Sequence, residues 1–267
     1  MLTQILTWSG SRVLAVLHDA GRLWQVGSTA LVRTIMVPLR GGRLRVHATS
    51  AQIVAAGNSS LALVALISLL IGMILALQSA YQLRQLGVTS LVANLVAVSM
   101  TRELAPLITA ILVAGRVGSA ITAELGTMKI SQEIDALTVM GIDPVSLVVV
   151  PRMISLLVAL PALTVFSGLL GILGGCGVGV FVLGLGAHGY LTDSVSALVQ
   201  QDVWGGVIKA VVFGLIIGVV SCQQGLDTTG GADEVGRSTT RAVVRSIVLI
   251  IAADLFVTAL LYLRGQP

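Results

Sequence analysis

Four ionisable residues lie inside long apolar stretches of the sequence: Arg102, Glu103, Lys209 and Asp254. A charged side chain at the centre of a bilayer costs about 2.5–3.5 kcal/mol on insertion scales, so each of these residues needs a partner or a task. The guanidinium of Arg102 matches the geometry of a phosphate group, and a buried carboxylate can take part in a proton relay. The set is therefore suited to binding a phosphate, to coupling protons, or only to pinning helices together.

The spacing of these four charges indicates how they pair. Arg102 and Glu103 are adjacent, so they point in different directions on a helix and each must find a partner elsewhere. Lys209 and Asp254 fall on different apolar stretches, and we predict an ion pair between them. Such a pair fixes two helices to each other whether or not it also contacts a ligand.

The composition predicts an all-α integral membrane protein of about five transmembrane helices. The 267 residues are 55% hydrophobic and 10% charged, whereas soluble domains carry about 25% charged residues. A hydrocarbon core about 30 Å thick needs roughly 20 apolar residues per helical span. Five stretches meet that need, at about residues 53–77, 91–114, 147–185, 203–222 and 243–263. The third is too long for an upright span, which indicates a tilt or an extension beyond the bilayer.

The basic residues predict a cytoplasmic N-terminus and a C-terminus on the outer, periplasmic side. Residues 1–52 hold six arginines among apolar residues, a pattern typical of an interfacial amphipathic helix; residues 53–267 form the transmembrane domain. With the N-terminus inside, twelve of the 16 Lys and Arg residues lie on the cytoplasmic side and two on the outer side, while Arg102 and Lys209 lie within spans. Such an excess is typical of cytoplasmic loops.

Several kinds of chemistry are missing from the sequence. The three histidines are scattered, so no metal site is expected, and the two cysteines lack the spacing of a zinc site or of a disulfide framework. A P-loop needs Gly-Lys-Ser/Thr, but the only lysines follow Met128 and Ile208. An intramembrane serine hydrolase would need a base beside its nucleophile, and the one histidine beyond residue 47, His188, lies in a predicted outer loop.

Glycines recur at four-residue spacing in two of the predicted spans. Gly171, Gly175 and Gly179 form one series, and Gly214 and Gly218 form another. Small residues at this spacing let helix backbones approach closely in lipid. We interpret both series as packing within the bundle in preference to a dimer seam.

The segment between the second and third spans predicts a short amphipathic helix at about residues 124–141. Ile130, Ile134 and Leu137 recur at i, i+4 and i+7 and so share one helical face. Gly141 is placed to end the helix in a left-handed cap, and Pro144 prevents its continuation. Its amphipathic part, about ten residues long, is too short to span a membrane, so its apolar face must pack against the bilayer, the bundle or another protein.

Three stretches of the sequence resemble the MlaE/YrbE permease family, the membrane subunits of MCE-type ABC lipid transporters. They are RELAPLITAILVAGRVGSAITAELGTMKISQEIDALTVMGIDP (102–144), VVPRM (149–153) and SCQQGLDTTGGADEVGRSTTRAVV (221–244). The likeness extends over nearly the whole chain. It implies a permease that moves phospholipids or related lipids between the inner and outer membranes and draws its energy from a separate ATPase subunit.

The same resemblance implies the partners and the location. The permease would be a homodimer in the inner membrane, with a cytoplasmic ABC ATPase below it and a periplasmic MCE-domain protein above it. A small STAS-type cytoplasmic subunit is a further expected partner. No cofactor, metal or nucleic acid is expected on this chain, because ATP would bind the partner subunit.

The resemblance also implies two groups of site residues. A lipid cavity lined by the first, second and fifth spans would use Arg102, Glu103, Gln78, Tyr81, Lys209 and Asp254. A coupling helix at about 124–141 would dock on the ATPase through Glu124, Gly126, Thr127, Met128, Glu133, Ile134, Asp135, Leu137, Met140 and Gly141. Tyr81, where the first span leaves the membrane, also fits an interfacial aromatic anchor.

The alternative is an ion-coupled secondary transporter that uses Glu103 or Asp254 as its proton site. Such folds usually show internal repeats, and the sequence shows none. Dependence of transport on an ATPase distinguishes the two classes.

Overall fold

The computed structural model describes Gly21 and residues 46–264, and all regular structure in residues 46–264 is helical. We number its α-helices in chain order as α1 (Val46–Gln85), α2 (Val92–Ser99), α3 (Ala105–Val113), α4 (Ser119–Ile130), α5 (Glu133–Val139), α6 (Val150–Phe181), α7 (Ala187–Ala197), α8 (Gln200–Leu226) and α9 (Ala232–Arg264). A 3-10 turn covers Thr89–Leu91, and π turns cover Met100–Leu104, Ala114–Gly118 and Val145–Val149. The predicted all-α class is confirmed for this part of the chain.

Five helical segments within residues 46–264 are long and apolar enough to cross a membrane. They are Thr49–Gln85, Thr89–Ile130, Val145–Phe181, Gln200–Leu226 and Ala232–Leu263. The protein is therefore a multi-pass membrane protein. Most of these segments extend beyond the predicted spans, because polar residues continue the helix after the hydropathy signal has faded. The third ends at Phe181 and not at residue 185, since Gly184 turns the chain with a φ of +69°.

The predicted interfacial segment at residues 1–52 lies almost wholly outside the described residues. Its last residues, 46–52, belong to α1, which begins at Val46. The interfacial helix and the boundary at residue 52 therefore stay predictions.

The second span is one continuous helical rod from Thr89 to Ile130. The helices α2, α3 and α4 join end to end through the π turns at Met100–Leu104 and Ala114–Gly118. At 1.5 Å per residue its length is about 60 Å, roughly twice the hydrocarbon thickness. The helix continues past residue 114, the predicted end of the span, as α4, which packs against α8 and α9.

The predicted helix at 124–141 is two helices in the structure. α4 ends at Ile130, Gln132 adopts a left-handed conformation with φ 61°, and the seven-residue α5 follows. A non-glycine residue with positive φ interrupts α-helical geometry. Ile130 therefore does not continue the apolar face of Ile134 and Leu137 on a single helix.

The predicted cap at the end of this segment is confirmed. Gly141 has φ +73°, and its N–H donates to the carbonyl of Thr138 at 3.0 Å. The next N–H, of Ile142, donates to the carbonyl of Leu137 at 2.9 Å. This pair of bonds is the Schellman arrangement, in which a left-handed glycine satisfies the last helical carbonyls.

The helix α7 lies in a segment for which hydropathy predicts only a polar loop, at residues 186–202. Its Tyr190 is buried against α6, and a Cβ added at Gly179 would lie 2.7 Å from the Tyr190 ring. Burial, with a smaller contribution from Cys176, raises the pKa of Tyr190 above its ordinary value, so the phenol stays protonated. Tyr190 thus anchors α7 on the bundle as an apolar side chain would.

Helices α1 and α6 cross at a contact that requires glycine. A Cβ on Gly72 would lie 1.9 Å from the carbonyl oxygen of Gly171, and a Cβ on Gly174 would lie 2.2 Å from that of Leu69. In lipid, where burial of apolar surface drives helix association weakly, such close backbone packing is a main source of attraction. The crossing therefore holds α1 and α6 together as a pair.

Both glycine series pack inside the bundle, as the sequence predicts. A Cβ at Gly171 would meet Met100 of the second span at 2.1 Å. At Gly218 it would meet Met153 of α6 at 2.4 Å, and at Gly214 it would lie 3.1 Å from the carbonyl oxygen of Leu156. Each of these contacts joins two helices of the same chain.

Gly174→Ala is expected to destabilise the protein, whereas Gly177→Ala on the same helix is expected to be neutral. The added methyl at residue 174 meets a backbone carbonyl that cannot rotate away, and overpacking of this kind costs about 1–3 kcal/mol. Among residues 46–264, no atom of a neighbouring element lies within 4 Å of a Cβ at Gly177. Thermal unfolding of the purified variants in detergent measures the difference, and equal midpoints for the two variants would contradict the described crossing.

Candidate functional site

A cavity of about 850 Å³ lies between the second span, α8 and α9. Its charged side chains are Arg102 and Glu103 from the second span and Asp202 and Lys209 from α8, and Thr258 from α9 adds a hydroxyl. The lining is completed by Val98, Ser99, Ala197, Val199, Gln201, Gly205, Leu261 and Tyr262. The sequence-based prediction is a cavity lined by the first, second and fifth spans. Among the described residues, the first span contributes none to the lining, and the fourth span, α8, contributes instead.

Lys209 is the buried centre of the charges around this cavity. Its ammonium contacts the carboxylate of Glu103 and lies 2.9 Å from Oδ1 of Asp254. The Lys209 side chain is 2% exposed, and burying a charge to this degree is costly unless opposite charges and hydrogen bonds compensate it. The predicted ion pair between Lys209 and Asp254 is confirmed, and Glu103 is a second partner.

Thr258 connects two of these charged groups through its hydroxyl. Nζ of Lys209 donates to the Thr258 oxygen at 2.7 Å, and the hydroxyl donates to Oε1 of Glu103 at 3.2 Å. The three residues come from α8, α9 and the second span. The polar network thus joins the three elements that surround the cavity.

Arg102 pairs with Asp202 in the first turn of α8. Nε of Arg102 lies 3.2 Å from Oδ1 of Asp202, and Oδ2 of Asp202 accepts the N–H of Val199 at 3.2 Å. Asp202 therefore also caps the start of α8, as an acidic residue at this position commonly does. The side chain of Arg102 remains 55% exposed, so its guanidinium is supported from one side and open to the cavity.

Arg102 and Glu103 reach different partners from a π turn, Met100–Leu104. Pro106 follows in the first turn of α3. A proline has no N–H for the carbonyl four residues earlier, and its ring clashes with that carbonyl. A π turn accommodates the defect by adding a residue, and such turns are frequent at functional sites. The prediction that each of the two charges finds its own partner is confirmed.

Three of the predicted cavity residues do not line the cavity: Asp254 contacts Lys209 beside it, and the other two lie elsewhere. Gln78 and Tyr81 are on α1, and neither lines the cavity described here. Both are exposed, Tyr81 to 73%. The position of Tyr81 on the outer surface of α1 agrees with the alternative interpretation, an interfacial aromatic anchor.

Asp202 and Thr258, which contact the predicted charges Arg102, Glu103 and Lys209, are absent from the sequence-based set. A signal for Asp202 exists, because Asp193 and Asp202 are the only acidic residues in the predicted outer loops. A partner for Arg102 on that side had to be one of them. Thr258 gives no comparable signal, since a threonine inside an apolar span is unremarkable until its neighbours are known.

The predicted docking residues around α5 divide into an inward and an outward group. Ile134 is buried, and Leu137 and Met128 are partly buried against the main core. Gly126 is buried against Thr228. The exposed members are Glu124, Thr127, Glu133, Asp135, Met140 and Gly141. The apolar face predicted for a partner thus packs on the chain's own bundle.

At the C-terminal end of α5 lies an exposed apolar surface that the predicted apolar face of the helix does not include. Val139 is 88% exposed, Met140 64% and Ile142 42%. We call these three residues the α5 tip. They surround the left-handed Gly141 and lie next to the exposed carboxylates of Glu133 and Asp135 along the chain.

A buried arginine, Arg152, holds both ends of the segment that carries α5. Nη2 of Arg152 lies 2.8 Å from Oε1 of Glu124 on α4, and Nη1 donates to the carbonyl of Val148 in the π turn before α6 at 2.6 Å. The residue is 5% exposed. We call this arrangement the Arg152 clamp. A second tie, between Lys129 and Asp135 at 2.7 Å, joins α4 to α5.

Comparison with known proteins identifies the architecture. The family model described as Permease MlaE matches residues 49–260, which include four spans and nearly all of the fifth, all but two of the residues that line the cavity, and the α5 segment. The chain belongs to the MlaE permease family. The sequence-based recognition is confirmed, and this MlaE-family chain is a membrane permease.

Relatives in several organisms support the assignment. A protein of Rickettsia conorii named probable ABC transporter permease protein is 36% identical over 262 residues, which cover 98% of this chain and 99% of the relative. The Haemophilus influenzae protein named intermembrane phospholipid transport system permease protein MlaE is 34% identical over 212 residues, covering 78% and 80%. The Arabidopsis thaliana protein trigalactosyldiacylglycerol 1, chloroplastic, is 36% identical over 244 residues, covering 91% and 69%.

Lys209→Met is expected to destabilise the permease by about 3–5 kcal/mol, because it leaves partly buried carboxylates without their cation. Thermal unfolding in detergent measures the loss. The triple variant that adds Glu103→Gln and Asp254→Asn is expected to recover most of it, since no unpaired charge remains. A single variant as stable as the unmodified protein would show that the carboxylates do not depend on Lys209.

Glu124→Gln is expected to loosen residues 133–142 without unfolding the bundle. It removes the anionic partner of the buried Arg152, a loss of roughly 1–3 kcal/mol, and amide hydrogen exchange in this segment should accelerate about tenfold or more. Glu234→Gln, which removes a carboxylate paired with Arg241 on α9, is the matched control. Unchanged exchange at 133–142 in the Glu124 variant would contradict the Arg152 clamp.

Proposed function

We propose that this chain is the membrane-spanning subunit of an ABC transporter that moves phospholipid between the inner and outer membranes of an envelope. The observation that carries the proposal is the helical rod Thr89–Ile130. It bears Arg102 and Glu103 of the charged cavity near one end and leads directly into α5 at the other. A ligand site and a surface for an energy-supplying partner are thus joined by one element.

The chemistry of the cavity supports a phospholipid headgroup as substrate. The half-exposed guanidinium of Arg102 offers fork-shaped donors that fit a phosphate. The apolar lining, which includes Leu261 and Val98, suits the part of the lipid next to the headgroup. The name of the Haemophilus influenzae relative, a phospholipid transport permease, agrees with this substrate class.

The α5 end supports docking of a cytoplasmic ABC ATPase. The exposed α5 tip has no covering within the described chain, and Glu133 and Asp135 add charge beside it. The Arg152 clamp fixes the position of this surface on the rod. The names of the Rickettsia relatives, probable ABC transporter permease proteins, favour such a partner, which would bind and hydrolyse the ATP.

The remaining partners follow from family membership and from the charge distribution. We propose a homodimer of this chain in the inner membrane, a periplasmic MCE-domain protein at the α7 end and a small STAS-type subunit on the ATPase side. The excess of Lys and Arg on the α5 side supports a cytoplasmic N-terminus and a periplasmic C-terminus.

In the proposed mechanism, closure of the ATPase subunits on ATP pushes the α5 segments of the dimer. Because α4, α3 and α2 form one rod, the displacement reaches the π turn that carries Arg102 and Glu103. The rocking of the two protomers would then narrow the cavity and drive the lipid toward the MCE-domain protein.

The test is to tag the chain in its native host, extract it in mild detergent, and identify the proteins that copurify by mass spectrometry. A P-loop ATPase together with an MCE-domain protein is the expected result. Repeated recovery of a folded chain without an ATPase would overturn the proposal and would favour an ion-coupled transporter that uses Glu103 or Asp254.

The same purification locates the docking surface. Met140→Asp and Glu133→Lys are expected to reduce ATPase recovery at least severalfold, because the first places a charge in the apolar α5 tip and the second reverses the sign of a charge beside it. Val195→Asp is the matched control, since Val195 is 71% exposed on α7, at the far end of the bundle. Full ATPase recovery with both α5-end variants would show that the ATPase docks elsewhere.

A further inference from the structure

The charges that line the cavity are not those expected for a simple anion site. The described residues that line it carry two cations, Arg102 and Lys209, and two carboxylates, of Glu103 and Asp202, while a third carboxylate, of Asp254, contacts Lys209 from outside the lining. The formal balance is one negative charge. A headgroup whose only charge is its phosphate would enter a site that is, as a whole, of its own sign.

Exposure decides which of these charges a ligand can reach. The side chain of Lys209 is 2% exposed, that of Asp202 10% and that of Asp254 17%. Arg102 is 55% exposed and Glu103 40%. The cavity therefore presents one accessible cation and one accessible anion, which are neighbours on the same π turn.

The buried charges hold this pair in place. Asp202 supports Arg102 from the α8 side, and Lys209 and Thr258 hold the carboxylate of Glu103 from behind. Neither accessible group can turn toward the other without breaking a contact with a buried partner. The separation of the two charges is thus set by three different elements of the bundle.

We infer that the cavity selects zwitterionic phospholipids with a primary ammonium, such as phosphatidylethanolamine, over phospholipids whose headgroup carries only negative charge. The inference rests on the proposed function and specifies its substrate. The phosphate pairs with Arg102, and the ammonium donates hydrogen bonds to Glu103. A primary ammonium has three N–H donors and no acceptor, so it matches a carboxylate.

An anionic lipid such as phosphatidylglycerol makes only half of this match. Its phosphate pairs with Arg102, but its uncharged glycerol group brings no cation to Glu103, which shares the single cation of Lys209 with Asp254 and lies next to that phosphate. Like charges placed close together in a partly dry site are costly, which is the usual origin of selectivity against a wrong ligand. Glu103 thus acts as a specificity-determining residue and Arg102 as the common phosphate ligand.

The test is competitive binding to the purified full-length chain in detergent. A phosphatidylethanolamine with a fluorescent acyl chain is displaced by unlabelled phosphatidylethanolamine or phosphatidylglycerol with matched acyl chains. The unmodified protein is expected to prefer phosphatidylethanolamine by about threefold or more, the size of one half-exposed ion pair. Glu103→Gln should abolish the preference, mainly by tightening the binding of phosphatidylglycerol.

Asp254→Asn is the matched control for Glu103→Gln. Each change removes one negative charge and one of the two carboxylates that contact Lys209, so the lysine keeps one anion in both variants. Only the Glu103 change removes the carboxylate that lines the cavity. The preference should therefore survive in Asp254→Asn.

The outcomes separate this inference from the proposed function. Binding of both lipids with equal affinity by the unmodified protein overturns the selectivity but leaves lipid binding intact. Equal loss of preference in the Glu103 and Asp254 variants also overturns it, because net charge and not an accessible carboxylate would then be responsible. Failure of both lipids to displace the probe, or of the probe to bind, contradicts the phospholipid substrate itself.

Discussion

An ammonium group buried among apolar helices requires anions in contact with it, and much of the cavity follows from how this chain meets that requirement at Lys209. The anions come from two other helices, Glu103 on the second span and Asp254 on α9. Three elements are thereby held around one point, with Thr258 completing the hydrogen bonds. Because the carboxylates outnumber the cation there, one of them can remain accessible to a ligand. A purely structural ion pair would need only one carboxylate.

The second span links this polar site to the α5 end. Its three α-helices continue through two π turns without a break, so the backbone that positions Arg102 and Glu103 is continuous with the backbone that ends at Ile130. The Arg152 clamp and the pair of Lys129 with Asp135 then attach the α5 segment to this rod. A π turn inside an α-helix is rare and is frequently found at a functional site. The first of the two π turns, Met100–Leu104, carries the charged pair of the cavity, Arg102 and Glu103.

The helices around the rod differ in how tightly they are held. α1 and α6 cross with backbone contact at Gly72 and Gly171, which suits a rigid pair. α9 is held much less closely. Only 11% of its apolar 18-residue stretch is buried within the described chain, against 50% for the corresponding stretch of α8. The helix that carries Asp254 and Thr258 therefore keeps most of its surface for lipid or for another protein, while its polar residues turn inward to the cavity.

The sequence by itself determined the class of the protein, the number of spans, the family, the Lys209–Asp254 pair and the glycine cap at Gly141, because each leaves a local signal: an apolar run, an isolated charge, or a glycine before a proline. The extents of the helices were less accessible, since a helix continues into polar sequence where hydropathy fades. Only the tertiary structure decided that Asp202 and Thr258 complete the cavity and that α1 does not line it. It also decided that the apolar side of α5 faces inward. These features depend on which helices become neighbours and how far each is rotated, and a one-dimensional pattern of residues does not contain those two quantities.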